Sequence, residues 1–167
     1  MKTMSMNQGN ARSRSFLPAQ LVSFGKRVEP QLQSLVLVAL RAVYGWFFVQ
    51  TGWGKLTHLE RTTEFFSGLG LPLPKIMALQ AGGTELVGGA LLLLGLGGRF
   101  AAAALTGVML VALATAHASE AFQSLESLTE QAPYPFLVAC LVVLAFGTGR
   151  LSVDAFLSRG AAEKPHT

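Results

Sequence analysis

Three features of this sequence predict an all-α integral membrane fold, a four-helix up-and-down bundle with both termini in the cytoplasm. Only 13% of the 167 residues are charged while 51% are hydrophobic, against about 25% charged in ordinary soluble domains. The apolar residues fall into four runs separated by Gly, Pro and polar residues, at about 32–54, 75–96, 100–116 and 133–147. The cations lie at the ends of these runs, more of them on one side of the bundle than on the other.

Residues 1–31 form a basic polar tail: Lys2, Arg12, Arg14, Lys26 and Arg27 stand against Glu29. No secretory signal is expected there, because the first long apolar run begins only at Leu32 and lacks a small-residue exit. Phe16, Leu17, Leu21 and Phe24 recur at helical spacing, the pattern of a short helix on the membrane surface. The first span, 32–54, closes on Trp53 and Lys55, an aromatic and a cation suited to the interface. On a 3.6-residue period Arg41, Tyr44, Gly45, Phe48, Gly52 and Lys55 share one stripe, which should face protein.

A polar segment follows, with Leu59, Phe65 and Phe66 placed to lay a short helix at the interface before Gly68, Gly70, Pro72 and Pro74 turn the chain back. The second span, 75–96, gathers Ala78, Ala81, Gly82, Glu85, Gly88 and Gly89 on one face. Small residues flanking one carboxylate mark a close helix contact with a polar centre. GLGGR, 95–99, is a tight turn. The third span, 100–116, exits through His117 and Glu120. The fourth, 133–147, is short and opens on Pro133 and Pro135, where missing backbone donors cost little. Residues 150–167 form a polar tail, in which Asp154 is placed to cap or pair.

Four spans put nine Lys and Arg on the side of the termini and three, Lys55, Arg61 and Lys75, on the other. The positive-inside rule then places the termini in the cytoplasm of a cell whose inner membrane holds the bundle. A net charge of +4 does not indicate nucleic acid, since the cations form no patch on a soluble face. The single cysteine, Cys140, has no CxxC partner and reads as a small buried hydrophobe. Met77 and Met109 read as packing residues, Trp46 and Trp53 as interface anchors.

Arg41 and Glu85 are the charges that apolar spans should not carry unpaired. Counted from the ends of their spans, they lie roughly 20 and 14 Å below the outer face. A long Arg side chain covers that offset, so the expectation is an Arg41–Glu85 contact with the Tyr44 hydroxyl level with Glu85. Two readings stay open: a lock between helices, or a working site. Lys55, His58, His117 and Glu120 gather at the outer mouth. They are either ordinary interfacial polar residues or a site for a quinone headgroup, a metal or an anion, and two histidines without fixed helical spacing to each other are weak evidence for the metal.

The run RAVYGWFFVQTGWGKL from Arg41, FFSGLGLPLP from Phe65 and ELVGGALLLLGLGGRF from Glu85 resemble the DoxX family of small four-helix membrane proteins. LVALATAH, ending at His117, and LSVD extend the resemblance over about 35–156. It implies that the family's basic residue falls on Arg41, its closing glycine and lysine on Gly52 and Lys55, and its acidic residue before paired glycines on Glu85. It also implies a subunit or accessory of a bacterial membrane redox system, quinone- or sulfur-linked. The sequence has no haem-ligand pair, flavin fingerprint or CxxC, so no covalent cofactor is expected, and a quinone is the candidate ligand. Whether the chain is itself an enzyme, an oxidoreductase subunit without a cofactor of its own, stays open. The candidate polar core is Arg41, Tyr44, Glu85, Lys55 and His117, and the packing glycines are Gly45, Gly52, Gly82, Gly88 and Gly89. Expected partners are the lipid bilayer and either another subunit or further copies of this chain. The alternatives are a non-enzymatic anchor or assembly subunit and a small-molecule or proton-coupled carrier.

Overall fold

The structure is a computed structural model that describes residues 19–162, with side chains over 29–159. The basic residues Lys2, Arg12, Arg14 and Lys164, and Phe16 and Leu17 of the expected surface helix, lie outside the described residues. So do the side chains of Leu21, Phe24, Lys26 and Arg27. Among the described residues the chain is helical throughout, without strands: α1 (Ala19–Thr57), α2 (Leu59–Gly68), α3 (Pro74–Leu94), α4 (Gly98–Thr115), α5 (Ala118–Ala121), α6 (Leu125–Glu130), α7 (Pro133–Phe146) and α8 (Val153–Ala162). The segment 19–31, expected as a separate tail, is instead continuous with the first span. Pro30 removes one backbone donor without ending the helix.

Among the described residues three helices are long and apolar enough to cross a membrane: Glu29–Thr57 of α1, α3 and α4. The fourth apolar helix, α7, has 14 residues and is about 21 Å long. α1 packs on α3 and α4 on α7, and α3 joins the two pairs. The shared core is Phe48, Leu92, Ala102, Leu105, Met109, Cys140 and Val143. Cys140 is fully buried and free, as a small hydrophobe should be, and Met109 packs within the core. Trp46 and Trp53 are exposed, on the outside of a bundle whose apolar surface faces outward in many places.

Small residues set the closest approach. A side-chain carbon at Gly45 would press on the Gly89 carbonyl and the Leu93 backbone, and one at Gly52 would overlap the Leu86 nitrogen and Gly82 carbonyl. Gly82 receives Leu56 and the Lys55 stem, Gly89 receives Phe48, and Gly88 receives Leu105 of α4. All five glycines expected at packing faces therefore lie at contacts between helices, four of them on the α1–α3 seam. At the other end of that seam α2 packs on α3. None of its residues is fully buried.

Candidate functional site

The glycine seam fixes the antiparallel register of α1 and α3. Gly45 lies opposite Gly89 and Leu93, and Gly52 opposite Gly82 and Leu86. Arg41 is therefore level with Gly95, and Glu85 with Thr51. Ten residues of α1, about 15 Å, separate those levels. Side chains in a helix also lean toward its N-terminus, so on antiparallel helices Arg41 and Glu85 lean away from each other. The expected Arg41–Glu85 contact is not formed, and each charge has found a different partner.

Arg41 binds backbone carbonyls. Its Nε donates to Leu92 O at 2.9 Å and Nη2 to Leu93 O at 3.3 Å, at the C-terminus of α3. Nη1 donates to Thr148 O and, at 3.1 Å, to Leu151 O, in the segment between α7 and α8. Carbonyls at a helix C-terminus have no partner within the helix and carry its negative dipole end, so a guanidinium fork fits there. Gly95, with φ +70°, closes α3 where any side chain would collide with the guanidinium. One turn away, Asp154 of α8 accepts from Gly97 N at 2.9 Å and Gly98 N at 3.4 Å, capping the start of α4 as its charge allows.

Glu85 is 2% exposed, and its Oε2 accepts from Lys55 Nζ at 2.5 Å. Lys55 stands one turn past Thr51 on α1 and leans back to the level of Glu85 by the same rule that turns Arg41 away. Both residues line a cavity of about 610 Å³ bounded by α1, α2, α3, α4 and α7. Its walls are mostly apolar, among them Phe48, Met77, Val108, Met109 and Phe136, with Phe65 and Phe66 of α2 contributing at one side. Gln80 of α3 and Ala104, Gly107 and Val111 of α4 line it while being exposed, so it opens between α3 and α4. Glu85 Oε1 makes no hydrogen bond among the described residues and is not sealed from accessible space. It is left to face the cavity.

His117 lines the same cavity at its far end. Gly88 meets Leu105, which sets Glu85 level with Val108, and His117 lies nine residues farther along the chain, about 14 Å. Gln131 Nε2 donates to Ser127 O at 3.0 Å, so its Oε1 accepts from His117 Nδ1 at 2.8 Å. A neutral His117 then keeps Nε2 as a free acceptor. Of the expected polar core, the structure joins Lys55, Glu85 and His117 around one space. Arg41 and Tyr44 are not among its lining residues. Tyr44, expected beside Glu85, lies two turns below it and packs edge-on against Phe136 at 5.3 Å between ring centres. Met77, expected as a packing residue, lines the cavity. No group of three or more His, Cys, Asp or Glu suited to a metal occurs among the described residues.

Reading the sequence did not single out Phe136, Gln80, Thr84 or Gln131. Only Phe136 had a visible signal: an aromatic one turn into a short apolar helix. In the structure it meets Tyr44, Phe47 and Phe48 edge-on and forms part of the cavity wall.

A family model, DoxX, matches residues 36–118, from the first span to just past His117. The chain belongs to the DoxX family. Arg41, Lys55, Glu85 and His117 all fall within the matched stretch, whereas α7, Asp154 and α8 lie beyond it. With its three apolar helices of spanning length, this DoxX protein is a small integral membrane protein. No curated protein and no solved structure matches the chain.

Proposed function

We propose that this DoxX protein is the quinone-binding subunit of a membrane redox system, its ligand lying in the cavity between α3 and α4 with the headgroup at Glu85 and Lys55. In this reading α1, α3, α4 and α7 cross a bacterial inner membrane and both termini lie in the cytoplasm, following the nine-to-three distribution of Lys and Arg. The observation that carries the proposal is a mostly apolar space of about 610 Å³ with a partly buried ion pair on its wall. Ligand sites are typically apolar with a few placed polar groups. Here Lys55 supplies donors, the free Glu85 oxygen an acceptor, and the opening between α3 and α4 leaves an apolar tail in lipid. The chain's residues would orient the ligand and exchange protons with it, while electrons pass to a partner subunit. A pure anchor would have no need of such a space, so the cavity favours a ligand-binding role over the anchoring alternative.

Binding of a short-chain ubiquinone analogue to the purified protein tests this, with wild type beside Glu85→Gln and Ala104→Phe, which fills the opening. Affinity should drop at least tenfold in both variants while helicity and elution volume stay those of wild type. Equal affinity in all three proteins would refute it.

A further inference from the structure

A second space, of about 450 Å³, adjoins the first at Lys55. Thr51, Lys55, Phe65 and Phe66 line both spaces, and the second is completed by Gly54, His58, Arg61 and Thr62. No carboxylate lines it. The acids of α2, Glu60 and Glu64, are exposed and absent from this wall, whereas Arg61 is part of it. α2 thus turns its cation toward this space and its acids away. Lys55 joins α1 to both spaces, with 30% of its side chain still accessible although its ammonium touches Glu85.

Lys55, His58 and Arg61 line one concave space whose own wall holds no acid, although Lys55 also pairs with Glu85 behind it. We infer that the pocket of Lys55, His58 and Arg61 binds a phosphate group, either free or carried on a lipid headgroup at this end of the bundle. Arg61 supplies a planar fork matched to two phosphate oxygens. Lys55 offers the ammonium protons that Glu85 leaves free, and His58, whose Nδ1 donates to Gly54 O at 3.1 Å, lines the space beside them. The inference is independent of what fills the larger cavity. It carries one consequence for it: a phosphate drawing on Lys55 weakens the hold on Glu85. The two spaces are therefore coupled, and the coupling is reciprocal.

Two measurements on the purified full chain test this. The first is ³¹P line broadening with inorganic phosphate, and the second is native mass spectrometry after exchange into micelles holding equal phosphatidylglycerol and phosphatidylcholine. Arg61→Gln and His58→Gln are compared with wild type, and both positions are exposed, so folding should be kept. A free-phosphate site predicts saturable broadening in wild type, weakened at least fivefold in Arg61→Gln. A headgroup site predicts retained phosphatidylglycerol in preference to phosphatidylcholine, with that preference lost in the variant. Either pattern supports the inference and names the source. Neither broadening nor lipid preference in wild type, or responses unchanged in both variants, would overturn it.

Discussion

The two charged centres of this protein differ in what they leave unused. Arg41 donates four hydrogen bonds to carbonyls from two segments and is 3% exposed. Glu85 is as deeply buried, but it binds one ammonium and keeps an oxygen on an open cavity. The first is a nearly closed arrangement in which all three guanidinium nitrogens, through four of five N–H groups, are directed at fixed backbone. The second has spare hydrogen-bonding capacity on the cavity wall. Two intramembrane charges of equal burial thus differ in how far their partners exhaust them.

Substitutions sharpen this contrast. The largest effect should come from Arg41→Leu, which strips partners from carbonyls at the end of α3 and beyond α7. Each buried carbonyl left unsatisfied costs about 1–3 kcal/mol, so the loss should reach about 3 kcal/mol or more in denaturant unfolding in detergent. Any folded fraction should still bind the quinone analogue; a stable Arg41→Leu protein that no longer binds would reverse the roles assigned to the two centres. Gly52→Ala comes next, costing about 2 kcal/mol because the new methyl meets the α3 backbone rather than a yielding side chain. A melting temperature equal to that of wild type would show that the seam is looser than described.

Glu85→Gln should act the other way round from Arg41→Leu. Its stability should change little, since the freed Lys55 reaches accessible space, while ligand affinity falls about tenfold, or about 1.4 kcal/mol. The smallest effect belongs to Asp154→Asn, which weakens the cap on α4 by about 1 kcal/mol. A thermal scan should register that loss while binding is kept. Altered binding in Asp154→Asn would mean that the two ends of the bundle are not independent.

Much of the seam was legible in the residues themselves. Glycines seven apart on α1, Gly45 and Gly52, and seven apart on α3, Gly82 and Gly89, lie on predictable faces, and those faces do meet. The charge pairing was not, because depth counted from the ends of apolar runs assumes that neighbouring helices stop at one plane. α3 begins well beyond the level of Thr57, alongside α2, and this shifts the register by about a turn and a half. Overlaying the two glycine pairs, together with the lean of side chains toward each helix N-terminus, gives Lys55 rather than Arg41 as the partner of Glu85. Asp154 was recognisable as a cap, but which helix it caps depends on how the chain returns after Gly147 and Gly149. The cavity could not be read from sequence at all, since it arises where α3 and α4, joined at a tight turn, leave room between them.

The grip of Arg41 also orders events in time. Its partners at Leu92 and Leu93 lie 51 and 52 residues farther along the chain but those at Thr148 and Leu151 lie 107 and 110 farther, so a ribosome delivers half of the accepting carbonyls long after the other half. Until α7 has been made and the chain has turned back toward α8, Arg41 has only the two α3 carbonyls, and its Nη1 must rely on water or lipid headgroups. A chain that stops short of residue 148 keeps both helices of the glycine seam yet leaves Arg41 with half of its hydrogen bonds.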